Sequence, residues 1–108
     1  MTNALFLCGK ARMRSPTAAD IAARWPGIAT DFAGLSHDAD EKLSAEQIDW
    51  ADVIFVMETR QAKRLKSQFP AALRDKRVVV LNIPDNFSYM QPELVDLLTP
   101  KLRAVLIG

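Results

Sequence analysis

The residues Cys8-Gly9-Lys10-Ala11-Arg12-Met13-Arg14 set a thiol six positions ahead of an arginine, and Ser15-Pro16 follow directly. Read as chemistry, this is a nucleophile, three basic side chains and a helix start. Ser15 is a suitable N-cap and Pro16 a suitable first helical residue. The unpaired N–H groups and the positive dipole end of such a helix point back into the preceding loop. Successive loop N–H groups form a concave anion nest, and the planar fork of Arg14 matches two oxygens of a phosphate. A cysteine in this field is expected as the thiolate. Together these features predict an anion cup with a nucleophile at its base. Gly9, Lys10, Ala11, Arg12, Met13 and Arg14 are its phosphate-binding residues.

Such a loop needs rigid elements on both sides, and the chain supplies them. Ala4–Leu7, Val53–Met57 and Val78–Leu81 are continuous apolar runs, the pattern of parallel strands covered on both faces. Ala29–Ala33 reads as a weaker, edge strand, diluted by Thr30 and Asp31. Ala18, Ile21, Ala22 and Trp25 keep helical spacing, and Pro26-Gly27 ends that helix. Ser44 to Gln47 has capping-box spacing before Trp50. Ala62, Leu65 and Phe69 mark a third helix, closed by Pro70. Leu94, Leu97, Leu98, Leu102 and Val105 mark a last one, starting near Pro92 and expected to break or kink at Pro100. Trp25 and Trp50 are expected in the core. Alternating strands and helices imply a doubly wound α/β sheet, in which ligands sit beyond the carboxyl ends of the strands. The loops after Leu7, Ala33, Met57 and Leu81 meet that rule.

Bulk properties narrow the field without deciding it. The chain has 108 residues, read as one domain over 1–108, with 14 Lys and Arg against 13 Asp and Glu. A net charge of +1 gives no general attraction for nucleic acid or for an acidic membrane. One cysteine excludes an internal disulfide. The N-terminus lacks a basic segment, and the apolar run after it is too short for a signal sequence or a span. A cytoplasmic location is therefore expected. His37 stands among Asp38, Asp40 and Glu41 without a second His or Cys, which reads as a solvated loop rather than a metal site. No cofactor or metal is expected.

The Cys-x5-Arg-Ser spacing at a strand-to-helix turn, within ten residues of the N-terminus and followed by Pro16, resembles the phosphate loop of the low-molecular-weight protein tyrosine phosphatases. Ala33-Gly34 sits where that family has Ser-Ala-Gly. The stretch from Leu43 through Glu58 looks like its helix, strand and Met-Asp/Glu edge, and Pro84–Tyr89 falls at its Asp-Pro-Tyr-Tyr loop. Lys10 and Ala11 replace the usual Gly and Asn, and Asn86-Phe87-Ser88-Tyr89 replaces Pro-Tyr-Tyr after the acid. The chain is also shorter than the family's usual length, around the second strand and the loop after it.

The resemblance implies a three-layer α/β fold with a four-stranded parallel sheet of order 2-1-3-4. It implies hydrolysis of a phosphomonoester, such as phosphotyrosine in a protein or a small aryl phosphate, through a phosphocysteine. Cys8 would attack, Arg14 would hold the equatorial oxygens, and Asp85 would serve as acid and then base. Ser15 would donate its proton to the thiolate while its oxygen caps the helix. Other readings remain open. Lys10 and Arg12 fit solvated charges or anion steering, and Asp85 fits a turn after Pro84. Phe87 and Tyr89 either flank an aromatic substrate or pack their loop. The same fold also accommodates a phosphate- or phosphoprotein-binding module without turnover, a phosphoryl carrier, or an arsenate reductase. Arg14 argues against the carrier, and the solitary Cys8 against the reductase. A homodimer is compatible with the sequence but not indicated by it.

Overall fold

The computed structural model describes all 108 residues, Met1–Gly108. The elements run β1 (Thr2–Cys8), α1 (Arg14–Ala22), β2 (Ile28–Gly34), α2 (Ala45–Trp50), β3 (Val53–Val56), α3 (Thr59–Gln68), β4 (Arg77–Val80) and α4 (Pro92–Leu106). The strands form one parallel sheet in the order β2-β1-β3-β4. No helix is long and apolar enough to cross a membrane.

Both sheet faces are covered, which is why the strands read as unbroken apolar runs. Within β1, Ala4, Phe6 and Cys8 face the layer of α1 and α4 and pack with Ala18, Leu94, Leu98 and Leu102. Leu5 and Leu7 face the layer of α2 and α3 and pack with Ile48 and Leu65. The strand alternation thus fixes which way the sulfur of Cys8 points. Phe6 and its register partner Phe55 stack with ring centroids 4.9 Å apart, at the heart of the first layer.

Three local expectations change. Helix α1 begins at Arg14 with Met13 as the cap residue, and no side chain caps it. Ser15 and Pro16 therefore lie inside the first turn, and Ser15 does not act as N-cap. Trp50 is exposed. It sits two residues, about 200° of helical rotation, beyond Ile48, the residue that α2 buries. Trp25 is half-buried against the core, with the Arg103 guanidinium 5.6 Å from its ring centre. Helix α4 runs unbroken through Pro100, whose ring sits on the exposed side, where a freed carbonyl can turn to water.

The edge strand β2 is finished by its neighbours. Phe32 N–H donates to the carboxylate of Asp31 at 2.9 Å, and the Gln47 amide donates to the same carboxylate at 3.0 Å. Beyond the strand, the chain doubles back over the loop after β1. Leu35, Ser36 and Asp40 N–H groups donate to the carbonyls of Cys8, Gly9 and Lys10, at 2.9, 2.9 and 3.1 Å. Gly34 makes this approach possible. A Cβ there would stand 2.4 Å from Ala39 Cβ and 2.7 Å from the Gly9 carbonyl oxygen. Gly34→Ala should therefore lower stability by about 1–3 kcal/mol through overpacking. Gly9→Ala, whose Cβ would meet only Ser36 Oγ at 3.8 Å, should fold as the wild type does. Denaturant midpoints of the two variants check this.

Candidate active site

Residues 9–13 wrap the carboxyl end of β1 before α1 begins. The Cys8 sulfur is buried, 3.0 Å from Ser15 Oγ, and accepts the Ala11 N–H at 3.2 Å. The Ala11 N–H and the Ser15 hydroxyl are thus the two polar neighbours of the sulfur. Ala11 reaches this position with φ of 61°, a left-handed conformation that costs a residue with a Cβ about 1–2 kcal/mol. The N–H groups of Gly9, Lys10, Arg12, Met13, Arg14 and Ser15 find no acceptor in the protein. They are the donors available to an anion lying over the sulfur.

Arg14 is 3% exposed, and its guanidinium is held from two directions. One nitrogen donates to Glu58 Oε2 at 2.9 Å and to the Ile83 carbonyl at 2.7 Å. Nε lies 3.6 Å from Asp85 Oδ1. Burial opposes ionisation of Glu58, but hydrogen bonds and positive charge from Arg14 and Arg60 outweigh it and hold the carboxyl below its usual range. Glu58 is itself fixed as the N-cap of α3. Gln61 Oε1 accepts the N–H groups of Met57 and Glu58 at 2.8 and 3.1 Å. The turn from β3 into α3 thus orients a carboxylate, and the carboxylate orients the arginine.

A cavity of about 330 Å³ opens over the sulfur. Cys8, Gly9, Lys10, Arg12, Met13, Arg14 and Asp85 line it, together with Ser36, Arg60 and Gln61 from outside the loop. Ala11 does not line it, its side chain being buried in the loop; its contribution is the N–H to sulfur. Ser15 faces Cys8 from within α1. Asp85 stands at the mouth, mostly exposed.

The other residues that the sequence singles out lie around the cup as charged pairs or clear of the cavity. Lys10 and Arg12 are not free charges, since they pair with Asp38 at 3.3 Å and Asp40 at 3.0 Å. Lys10 holds the Asp38 carboxyl below its ordinary range, mainly through their hydrogen bond. Neither aromatic residue of the acid loop flanks the cavity. Phe87 packs against the core, and the Tyr89 hydroxyl donates to Asp20 on α1, which raises its pKa. His37 is exposed. Sequence reasoning missed the parts played by Glu58, Gln61, Arg60 and Ser36. The capping-box spacing from Glu58 to Gln61 was the one available signal.

No protein-family model and no curated protein sequence matches the chain. Solved structures do. The YwlE arginine phosphatase from Geobacillus stearothermophilus is 23% identical, with a TM-score of 0.72, 99% of this chain and 96% of that one being covered. Wzb from Vibrio vulnificus in complex with benzylphosphonate is 18% identical, with a TM-score of 0.78 and 95% of each chain covered. SP-PTP, the low-molecular-weight protein tyrosine phosphatase from Streptococcus pyogenes, is 13% identical, with a TM-score of 0.77, covering 98% of this chain and 94% of that one. The sheet order, the flanking helices and the cysteine loop after β1 are thus those of a known architecture: the chain has the low-molecular-weight protein tyrosine phosphatase fold.

Proposed function

We propose that this protein is a cysteine-dependent phosphomonoester hydrolase, a protein tyrosine phosphatase in type, working through a phosphocysteine. One observation carries the reading. The buried sulfur of Cys8 borders a cavity lined by a loop whose N–H groups are largely unpaired, by the anchored Arg14 and by the Asp85 carboxylate. The likeness of fold to tyrosine and arginine phosphatases supports it.

In the proposed reaction the substrate phosphoryl group sits in the cup, its equatorial oxygens on the loop N–H groups and Arg14. The Cys8 thiolate attacks phosphorus in line, an S–P bond forms, and the P–O bond to the leaving group breaks. Asp85 gives that oxygen its proton. The resulting Asp85 carboxylate then takes a proton from water, the water oxygen attacks phosphorus, the S–P bond breaks, and inorganic phosphate leaves. Ser15 donates to the sulfur and stabilises it as the leaving thiolate in the second step. Negative charge shifts between sulfur, phosphoryl oxygens and leaving group, and donors fixed in advance favour that shift most. A phosphorylated protein is the proposed substrate. Because a structural neighbour is an arginine phosphatase and no aromatic side chain lines the cavity, phosphoarginine is the second substrate to assay. A cytoplasmic setting, where a lone thiol stays reduced, completes the reading.

Two predictions follow from these roles. Cys8→Ser should abolish turnover of phosphotyrosine and of nitrophenyl phosphate while retaining phosphate binding. Asp85→Asn should cost about 100- to 10,000-fold on phosphotyrosine, the usual worth of general acid catalysis, and much less on nitrophenyl phosphate, whose phenolate leaves unaided. Steady-state kinetics on both substrates tests this. A wild type that binds phosphotyrosine but turns over neither substrate would make the cup a recognition site only.

Glu58 is proposed to position Arg14. Glu58→Gln should lower kcat/KM by about 100-fold, the effect of a small misplacement of a catalytic group. It should also destabilise the fold by about 1 kcal/mol at pH 7, where the buried guanidinium exchanges a charged acceptor for a neutral one. The sign of the pH dependence follows from the lowered carboxyl. Glu58 has an ordinary value of 4.5, so its contribution is complete above that pH and is lost as the pH falls through the lower folded value. The stability gap between wild type and variant, read from urea unfolding, should therefore be widest near neutrality and close in strong acid.

A further inference from the structure

Beside the Cys8 cup lies a second cavity of about 250 Å³, bounded by Gly9, Leu35, Ser36, Arg60, Gln61 and Arg64. Four of these residues, Gly9, Ser36, Arg60 and Gln61, also bound the cup, so the two cavities adjoin. The shared wall is formed by the first turn of α3, through Arg60 and Gln61, and by Gly9 and Ser36 of the loops after β1 and β2. That helix, Thr59–Gln68, carries Arg60, Lys63, Arg64 and Lys66 and no acidic residue, in a protein whose net charge is +1.

Arg60 and Arg64 are four residues apart and thus share a helix face, where like charges repel. The fold does little to relieve this. Arg60 reaches one acid, Glu58 at 3.2 Å, which Arg14 already engages at 2.9 Å. Arg64 forms no ion pair, whereas Lys10 and Arg12 on the opposite rim each have an aspartate. Two guanidinium groups, one sharing the Glu58 carboxylate with Arg14 and one without any ion pair, therefore border the cavity next to the cup. The Ser36 hydroxyl and the free Gly9 N–H lie at the junction. Neither cavity has an aromatic wall, so a substrate is gripped here by charge rather than by stacking.

We propose that the second cavity is a subsite for a second anionic group on the substrate, held by Arg60 and Arg64. The substrate class is then a phosphoryl compound with another anion close by, either an acidic residue next to the phosphorylated one in a protein or a second phosphate on a small molecule. The proposal rests on the phosphatase reading only in taking the cup as the place of the first phosphoryl group.

Binding of hydrolysis-resistant probes to the wild-type protein tests it without requiring turnover. One pair is a phosphonomethyl-phenylalanine peptide flanked by Asp and Glu against the same peptide flanked by Asn and Gln. The other is 1,3-propanediylbisphosphonate against propylphosphonate. In at least one pair the more acidic probe should bind about two- to fivefold more tightly, the worth of a partly exposed charged contact, and the gap should shrink at high salt. The pair that shows it identifies the source of the second anion. Arg64→Ala should bring that ratio close to one, Arg64→Glu should invert it, and Lys63→Ala should leave it as in the wild type. Ratios of one in both pairs, or a ratio untouched by Arg64→Glu, overturn the subsite while leaving the cup intact. Failure of all four probes to bind removes the cup, and this proposal with it.

Discussion

The contact on which the site depends is the one between the Arg14 guanidinium, the Glu58 carboxylate and the Ile83 carbonyl. A buried guanidinium without partners would cost several kcal/mol, so the chain must bring acceptors to it. They come from two places far apart in sequence, the turn between β3 and α3 and the segment after β4. Both lie at the carboxyl ends of strands, the central β3 and the outer β4. The parallel sheet puts these ends on one side, and the order β2-β1-β3-β4 sets the cysteine loop next to β3. Arg14, the arginine proposed to hold the phosphoryl group, is thus also the tie that closes the top of the sheet.

Charge at the site is arranged at two ranges. At the rim, Lys10 and Arg12 are compensated by the aspartates of the loop after β2, exposed pairs worth little to stability. At the base, attraction for an anion comes from backbone N–H groups and one buried arginine, which solvent screens less. A nearly neutral protein can in this way concentrate positive potential in one loop. It also assigns a place to the replacements at Lys10 and Ala11. The loop keeps its left-handed residue at Ala11 despite the missing asparagine, and the segment from Leu35 to Asp40 supplies the hydrogen bonds that hold the loop.

Much of this was legible in the sequence because it is local. Apolar runs gave the strands, and the alternation within β1 dictates where the sulfur points. The cysteine-to-arginine spacing brought together two residues that line one cavity. The parts that stayed hidden are relations between distant segments. Arg14 and Glu58 are 44 residues apart, and nothing in the spacing of either announces the other. The same holds for Gly34, whose lack of a side chain matters only because residues 9, 10 and 39 crowd it. The start of α1 was misread because Ser-Pro is a good helix opening by propensity. Here the demand for a hydroxyl beside the sulfur places Ser15 inside the first turn instead. Trp50 stands outside the core and Pro100 does not end α4 for one reason: each lies on the side of its helix that faces water, which residue type alone does not reveal.

Asp31 weakened β2 as a strand in the sequence, and its surroundings show what it does there. An outermost strand presents unpaired N–H and C=O groups, a template on which another chain can extend the sheet. Here the Asp31 carboxylate takes up the N–H of Phe32, and the Gln47 amide holds that carboxylate in place. A charge and an occupied donor sit where an incoming strand would have to register. The residue that makes β2 a poor strand by composition thereby makes it a poor seed for aggregation, so the protein can carry an open sheet margin and remain a separate molecule at that edge.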